Sequence, residues 1–194
     1  YNIDTEYVGI RSIKDVTRLK KYAYEFSTFK DKMVYLWGPN GTQKTTLAHW
    51  IGANVLHQGY TVHYLLMQTL LMAISGFEQD ELKQAEKQAE IEKLTNIDLL
   101  IVDESFSKDK VTIYKSGYQL PYLDRFLRDR LEIKQKGIVF ISNKPPKEIE
   151  KQGFSASIQD FVDRNTREKR GACLLFEDNY MASKMSFDPG SLFD

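Results

Sequence analysis

Gly38, Pro39, Asn40, Gly41, Thr42, Gln43, Lys44 and Thr45 form the stretch GPNGTQKT, and its reading decides the fold of this chain. An apolar run from Met33 to Trp37 (MVYLW) precedes it, and a helical-looking stretch from Thr46 to His57 follows. Strand, glycine-bearing loop, lysine with hydroxyl, then helix is the layout of a phosphate-binding P-loop. Backbone N–H groups in such a turn, backed by a helix N-terminus, surround an anion with partial positive charge. Residues Gly38 to Thr46 are therefore the expected nucleotide-binding segment. Lys44 is expected at the β- and γ-phosphates and the Thr45 hydroxyl on Mg²⁺.

One residue departs from the GxxxxGK[ST] pattern. Gln43 stands where the second fixed glycine belongs. Glycine there lets the backbone approach phosphate with no Cβ in the way, whereas Gln43 keeps its N–H but must point its side chain out of the nest. Two other readings therefore stand beside a working loop. One is a chance turn of Gly, Pro and Asn, in which loops are rich; the flanking strand and helix weigh against it. The other is a degraded loop that no longer holds nucleotide.

A second motif favours the working loop. Asn96 to Glu104 (NIDLLIVDE) is an apolar strand ending in two adjacent carboxylates. Buried parallel strands read as continuous apolar runs, and ligands in such sheets bind at the strands' carboxyl ends. Asp103 is placed to hold Mg²⁺ through water and Glu104 to polarise the attacking water. Alone, the pair would mean only a solvated strand end; after a P-loop it is more specific. A third strand, Gly137 to Asn143 (GIVFISN), ends in a polar pair. Asn143 is the candidate for orienting the lytic water or sensing the γ-phosphate, with an Asx turn before Pro145 and Pro146 as the plain alternative.

Bulk properties narrow the classes. The chain has 194 residues, enough for one domain with a substantial core. Its 27 basic and 27 acidic residues balance, so no global field draws it to nucleic acid or membrane, and any such contact is a local patch. A single cysteine, Cys173, excludes an internal disulfide and fits a reducing compartment. No membrane-length apolar run is present, and no membrane partner is expected. His49, His57 and His63 do not form a zinc-like set.

Periodicity sets the order of elements. Helices are expected at 12–29, 44–58, 68–75, 78–94, 120–135 and 157–167. Strands are expected at 33–37, 60–66, 97–102, 138–142 and 172–177, with a polar stretch at 105–119. Alternating strands and helices imply a parallel sheet with right-handed crossovers. The chain opens at Tyr1 without Met, so a natural N-terminal segment is expected to be missing.

From about Met33 to Tyr180 the sequence resembles the DnaC/DnaI/IstB group of AAA+ ATPases, the bacterial and phage helicase loaders and their transposition relatives. The resemblance rests on Gly38–Thr45, on the block Leu94–Glu104, on Arg130, on the strand end Ile141–Asn143 and on Phe161–Arg164. It implies an α/β fold, a three-layer αβα P-loop NTPase of AAA+ type with a five-stranded parallel sheet and no small helical lid domain. The implied organisation is an N-terminal helical lead-in (1–32), an AAA+ ATPase core (33–180) and a C-terminal tail (181–194). It also implies Mg²⁺-dependent hydrolysis of ATP to ADP, in a nucleotide-dependent self-assembly completed by an arginine finger in trans. That finger falls on Arg164, with a helix-end surface ion pair as the plain alternative and Arg167 and Arg170 as nearby substitutes. The second sensor arginine of loaders has no counterpart in 178–184, where Lys184 is a weak stand-in. Single-stranded DNA contacts fall on Phe77, Ser116 and Tyr118, beside Tyr114, Lys108, Lys110 and Lys115.

The function so implied is loading or remodelling of a replicative helicase on single-stranded DNA, in the cytoplasm of a bacterial cell or phage-infected host. Residues 1–32 are short for a helicase-binding segment. The alternatives are an IstB-like transposition ATPase on duplex DNA, or a non-hydrolysing adaptor with a vestigial P-loop.

Overall fold

The computed structural model describes residues 13–29, 32–76, 79–167 and 171–176. Five strands, β1 (Met33–Trp37), β2 (Val62–Leu66), β3 (Leu99–Asp103), β4 (Gly137–Ser142) and β5 (Gly171–Leu175), pair in parallel in the order β2-β3-β4-β1-β5. The helices are α1 (Ile13–Tyr24), α2 (Phe26–Phe29), α3 (Lys44–His57), α4 (Met67–Ile74), α5 (Glu81–Asn96), α6 (Gln119–Arg128) and α7 (Ala156–Asn165). Phe77, Arg170, Lys184, the first twelve residues and the tail 181–194 lie outside the described residues.

Side-chain alternation along the strands divides the core in two. Met33, Tyr35, Leu100, Val102, Ile138 and Phe140 face one way, where they pack against residues of α4, α6 and α7 such as Leu71, Phe126 and Phe161. Val34, Leu36, Leu99, Ile101, Val139 and Ile141 face the other way, toward Leu19 of α1, Phe26 of α2 and Leu47 and Ile51 of α3. With helices on both faces, β3 and β4 are buried at every position. That is why they read as unbroken apolar runs. The edge strand β2 has a buried Leu65 among more exposed residues.

Several element bounds depart from the expected ones for identifiable reasons. The first helix is interrupted at Glu25, because Gln58 intervenes: its Nε2 donates to Ala23 O at 2.6 Å and its Oε1 accepts from Phe26 N at 3.3 Å. The charged helix starts at Glu81 rather than 78, where Asp80 caps it by accepting from Lys83 N. Strand β2 starts at Val62, since Thr61 bonds Asp98 through both its N–H and its hydroxyl. The helix expected over 120–135 is α-helical only to Arg128 and then widens into a π-helical turn, Asp129–Ile133.

Arg130 lies in that turn. Its side chain is fully buried, and its two terminal nitrogens donate to the carbonyls of Leu94, Thr95, Ile97 and Gly137 at 2.6 to 3.2 Å. One guanidinium therefore satisfies the last turn of α5 and the entry to β4 together. Burial pushes its pKa down to about 9.

Candidate nucleotide-binding site

β1, β4 and β3 lie side by side, so their carboxyl ends share one edge of the sheet. A cleft of about 440 Å³ opens there, lined by 40–46 from the loop after β1, by Asp103, Glu104, Ser107 and Lys110 after β3, and by Ile141 and Asn143 at the end of β4. Among the residues expected to act, Lys44, Thr45, Asp103, Glu104 and Asn143 thus meet in one place.

The loop is built from the strand outward. Gly38 leaves β1 with φ +145, and a Cβ there would sit 2.2 Å from Phe176 O, so glycine is required where β5's end presses on the loop. Gly41 has φ +78 and Gln43 φ +62. Gln43 therefore holds a left-handed position that glycine adopts without strain. Its side chain gives no cap to α3, and its Oε1 is buried with no hydrogen-bond partner among the described residues. The first-turn N–H groups of α3 have no intrahelical acceptor, so an uncapped helix N-terminus faces the cleft, an arrangement that attracts anions.

Lys44, the first residue of α3, folds back over the loop. Its Nζ donates to Gly38 O at 2.9 Å, Pro39 O at 2.6 Å and Thr42 Oγ1 at 3.2 Å. Only 6% of the residue is exposed. Burial lowers its pKa to about 8, against the opposing charge of Asp103.

Across the cleft, Asp103 is 8% exposed and collects three donors. Thr45 Oγ1 donates to Oδ2 at 2.9 Å, Tyr64 Oη to the same oxygen at 2.6 Å, and Glu104 N to Oδ1 at 2.6 Å. Tyr64 is a residue that sequence reasoning missed, because it reads as one more alternating residue of an edge strand. Burial raises its phenol pKa, and the neighbouring Asp103 raises it further. A hydroxyl and a carboxylate this close offer oxygen ligands, which fits a hard cation such as Mg²⁺ completed by phosphate and water oxygens.

Glu104 sits in the left-handed region, φ +52. The next residue is fixed by Ser105 N donating to Ile141 O at 2.7 Å and by Ser142 Oγ donating to Ser105 O at 2.7 Å. β3 and β4 are thereby tied together just past their ends, with the Glu104 carboxylate in the cleft. Asn143 makes no side-chain hydrogen bond among the described residues. The turn after β4 uses Ser142 instead, whose Oγ accepts from Lys144 N at 3.1 Å.

The other expected residues lie elsewhere. Arg164, in the last turn of α7, is exposed and has no ion pair among the described residues; Arg167 makes that helix-end pair, at 2.6 Å from Asp163. Neither arginine lines the cleft. Ser116 and Tyr118 are exposed in the loop before α6, with the Tyr118 ring 5.5 Å from that of Tyr114. No helix among the described residues is long and apolar enough to cross a membrane.

The profile of the family described as IstB-like ATP binding protein matches residues 5–148. Among solved structures, AMPPCP-bound DnaA from Aquifex aeolicus superposes with a TM-score of 0.68 at 18% identity, over 95% of this chain and 53% of that one. The DnaC helicase loader gives 0.64 at 12% identity, over 90% and 96%. DnaI gives 0.63 at 15%, over 87% and 85%. The chain spans about half the length of the replication initiation proteins it superposes on. At these identities the likeness is one of fold: a five-stranded parallel sheet with flanking helices, a P-loop NTPase-like α/β fold matching those of DnaA and DnaC. No curated protein matches in sequence.

Proposed function

The chain belongs to the IstB-like ATP-binding protein family, and from that premise we propose that it is a Mg²⁺-dependent AAA+ ATPase of DNA replication. Residues Gly38 to Thr46 cradle the triphosphate, and Lys44 pairs with the β- and γ-phosphates. Thr45 and Asp103 hold Mg²⁺, which neutralises phosphate charge when bound. Glu104 accepts a proton from water as the water oxygen bonds the γ-phosphorus and the bond to ADP breaks. Asn143 orients that water. The observation that carries this reading is the 2.9 Å contact between Thr45 Oγ1 and Asp103 Oδ2. It joins the first turn of α3, which follows the loop after β1, to the end of β3, β1 and β3 being held apart by β4.

Arg164 completes the site of a neighbouring copy, where it neutralises charge developing on the γ-phosphoryl group. Its exposure and its lack of an ion pair among the described residues support this, as does its absence from its own chain's cleft. ATP then bridges subunits, and hydrolysis loosens the assembly. The ATPase core runs over 33–180, between a helical lead-in (1–32) and a tail (181–194). The client is a replicative helicase on single-stranded DNA, in the cytoplasm of a bacterial cell or an infected host. The fold likeness to the DnaC loader and to DnaI supports that client. So do the exposed Ser116 and Tyr118, since aromatics stack on bases beside lysines that follow phosphates.

A second reading is a transposition-type ATPase that coats duplex DNA. It is favoured by the family match itself, which covers residues 5–148 in sequence, while the loader likeness is one of fold. Solution mass with ATP and either single-stranded or duplex DNA separates the two: assembly on single strands supports the first reading, assembly on duplex the second. Phosphate release tests the chemistry. Glu104→Gln is expected to bind Mg·ATP and to lose turnover by about a hundredfold or more. Wild-type turnover in that variant would remove Glu104 from its role.

A further inference from the structure

Lys110 belongs by sequence to a polar loop with Lys108 and Lys115, yet its ammonium lines the same cleft as Lys44. Nζ lies 3.3 Å from Glu104 Oε1, with the two side chains 48% and 40% exposed. The backbone beneath it is anchored. Lys110 N and Val111 N both donate to Ser107 O, at 3.0 and 2.8 Å, and the Val111 side chain is buried. A long flexible stem therefore projects from a fixed turn into the cleft.

Pairs exposed to this degree contribute little to stability, so Lys110 exchanges its partner at small cost. Glu104 has no such freedom in its backbone, which is held by its N–H bond to Asp103 and by the β3–β4 tie beyond it. A triphosphate seated on the loop 38–46 brings its terminal group toward Glu104, where like charges repel unless a cation intervenes. Lys44 approaches from the loop side of the cleft, where it lies against Gly38 and Pro39. Lys110 is the cation on the Glu104 side.

We propose that Lys110 reads the third phosphate: with a triphosphate bound, its ammonium leaves the Glu104 carboxylate for the terminal phosphate, so the chain distinguishes ATP from ADP and Glu104 is freed to face water. This rests on the reading of residues 38–46 as a nucleotide site. A diphosphate held on the same loop ends short of Glu104 and leaves the Lys110–Glu104 pair in place.

The test is calorimetric titration of the full chain, with Mg²⁺, against ADP and against the β,γ-methylene analogue of ATP. Wild type, Lys110→Met and Lys110→Arg are compared. Lys110→Met is expected to bind the triphosphate analogue about tenfold more weakly, as for a lost charged hydrogen bond, and ADP within about twofold of wild type. Lys110→Arg is expected to keep most of the preference, because its cation survives. An unchanged ratio of the two affinities in Lys110→Met, whether through no loss or equal loss, overturns the proposal while leaving the nucleotide site standing. Wild type that binds neither ligand overturns both.

Discussion

Tyr64 and Asp103 meet at 2.6 Å, and the oxygen that accepts the phenolic proton, Oδ2, is the one that also accepts from Thr45. The edge strand and the Asp103 carboxylate are thus joined. Tyr64 lies two residues before Leu66, the register partner of Asp103, which brings the phenol within reach of the carboxylate. Tyr64→Phe deletes the bond and keeps the ring, which also packs 4.8 Å from His49. The expected loss is about 1 kcal/mol of unfolding free energy, read as a lower urea midpoint at constant slope. An unchanged midpoint would mean that water replaces the phenol at no cost.

Gln43→Gly is expected to stabilise the protein. The wild-type residue holds φ +62 and buries an acceptor without a partner among the described residues. A left-handed conformation costs a side-chain-bearing residue about 1 kcal/mol or more. The greater freedom of glycine in the unfolded chain offsets part of that gain. A rise of roughly 1 kcal/mol, or a few degrees in Tm, is expected for a chain of this size. A lower Tm would show that the Gln43 side chain contributes contacts that outweigh the strain.

Lys44 gives the stability a pH dependence of known sign. Its folded pKa, about 8, lies below its ordinary value of 10.5. Below pH 8 both states carry the proton, and the folded state bears the full cost of a buried ammonium. Between pH 8 and 10.5 the unfolded chain keeps a proton that the folded chain has released, so this contribution to stability rises with pH. Lys44→Met lacks the rise. The difference in unfolding free energy between the two proteins is therefore expected to shift in favour of wild type from pH 7.5 to pH 10. A pH-independent difference would contradict the burial of the amine.

Arg130 is expected to be the least replaceable charged residue among those described. Its terminal nitrogens serve the carbonyls of Leu94, Thr95, Ile97 and Gly137 inside a site closed to water. Arg130→Met fills the volume but strands those acceptors, at a cost of roughly 3 kcal/mol or more. Denaturant unfolding reads the loss, and a midpoint within error of wild type would show that the carbonyls find other donors.

β1, β3 and β4 were legible in the sequence because burial on both faces leaves no charged residue in them ahead of their carboxyl ends. Their order around the glycine loop then indicated where Lys44, Thr45, Asp103 and Glu104 would converge. What escaped the sequence depends on side chains that cross between distant segments. Gln58 interrupts the first helix from 35 residues away. Tyr64 reaches Asp103 only through strand register, and Lys110 reaches Glu104 only through the closure of a loop without periodicity. Gln43 was legible as a departure from pattern, but its positive φ was not, since a side chain there gives no sign of the backbone it accepts. Arg130 was noted only by resemblance, since an arginine in an amphipathic stretch ordinarily means a solvated surface.

The most direct test is calorimetric titration of the intact chain with Mg·ATP, in parallel with Lys44→Ala. Saturable one-site binding by wild type, abolished by the substitution, is the predicted result. A flat trace for the wild-type protein, or undiminished binding by Lys44→Ala, would contradict the assignment of residues 38–46 as the nucleotide site.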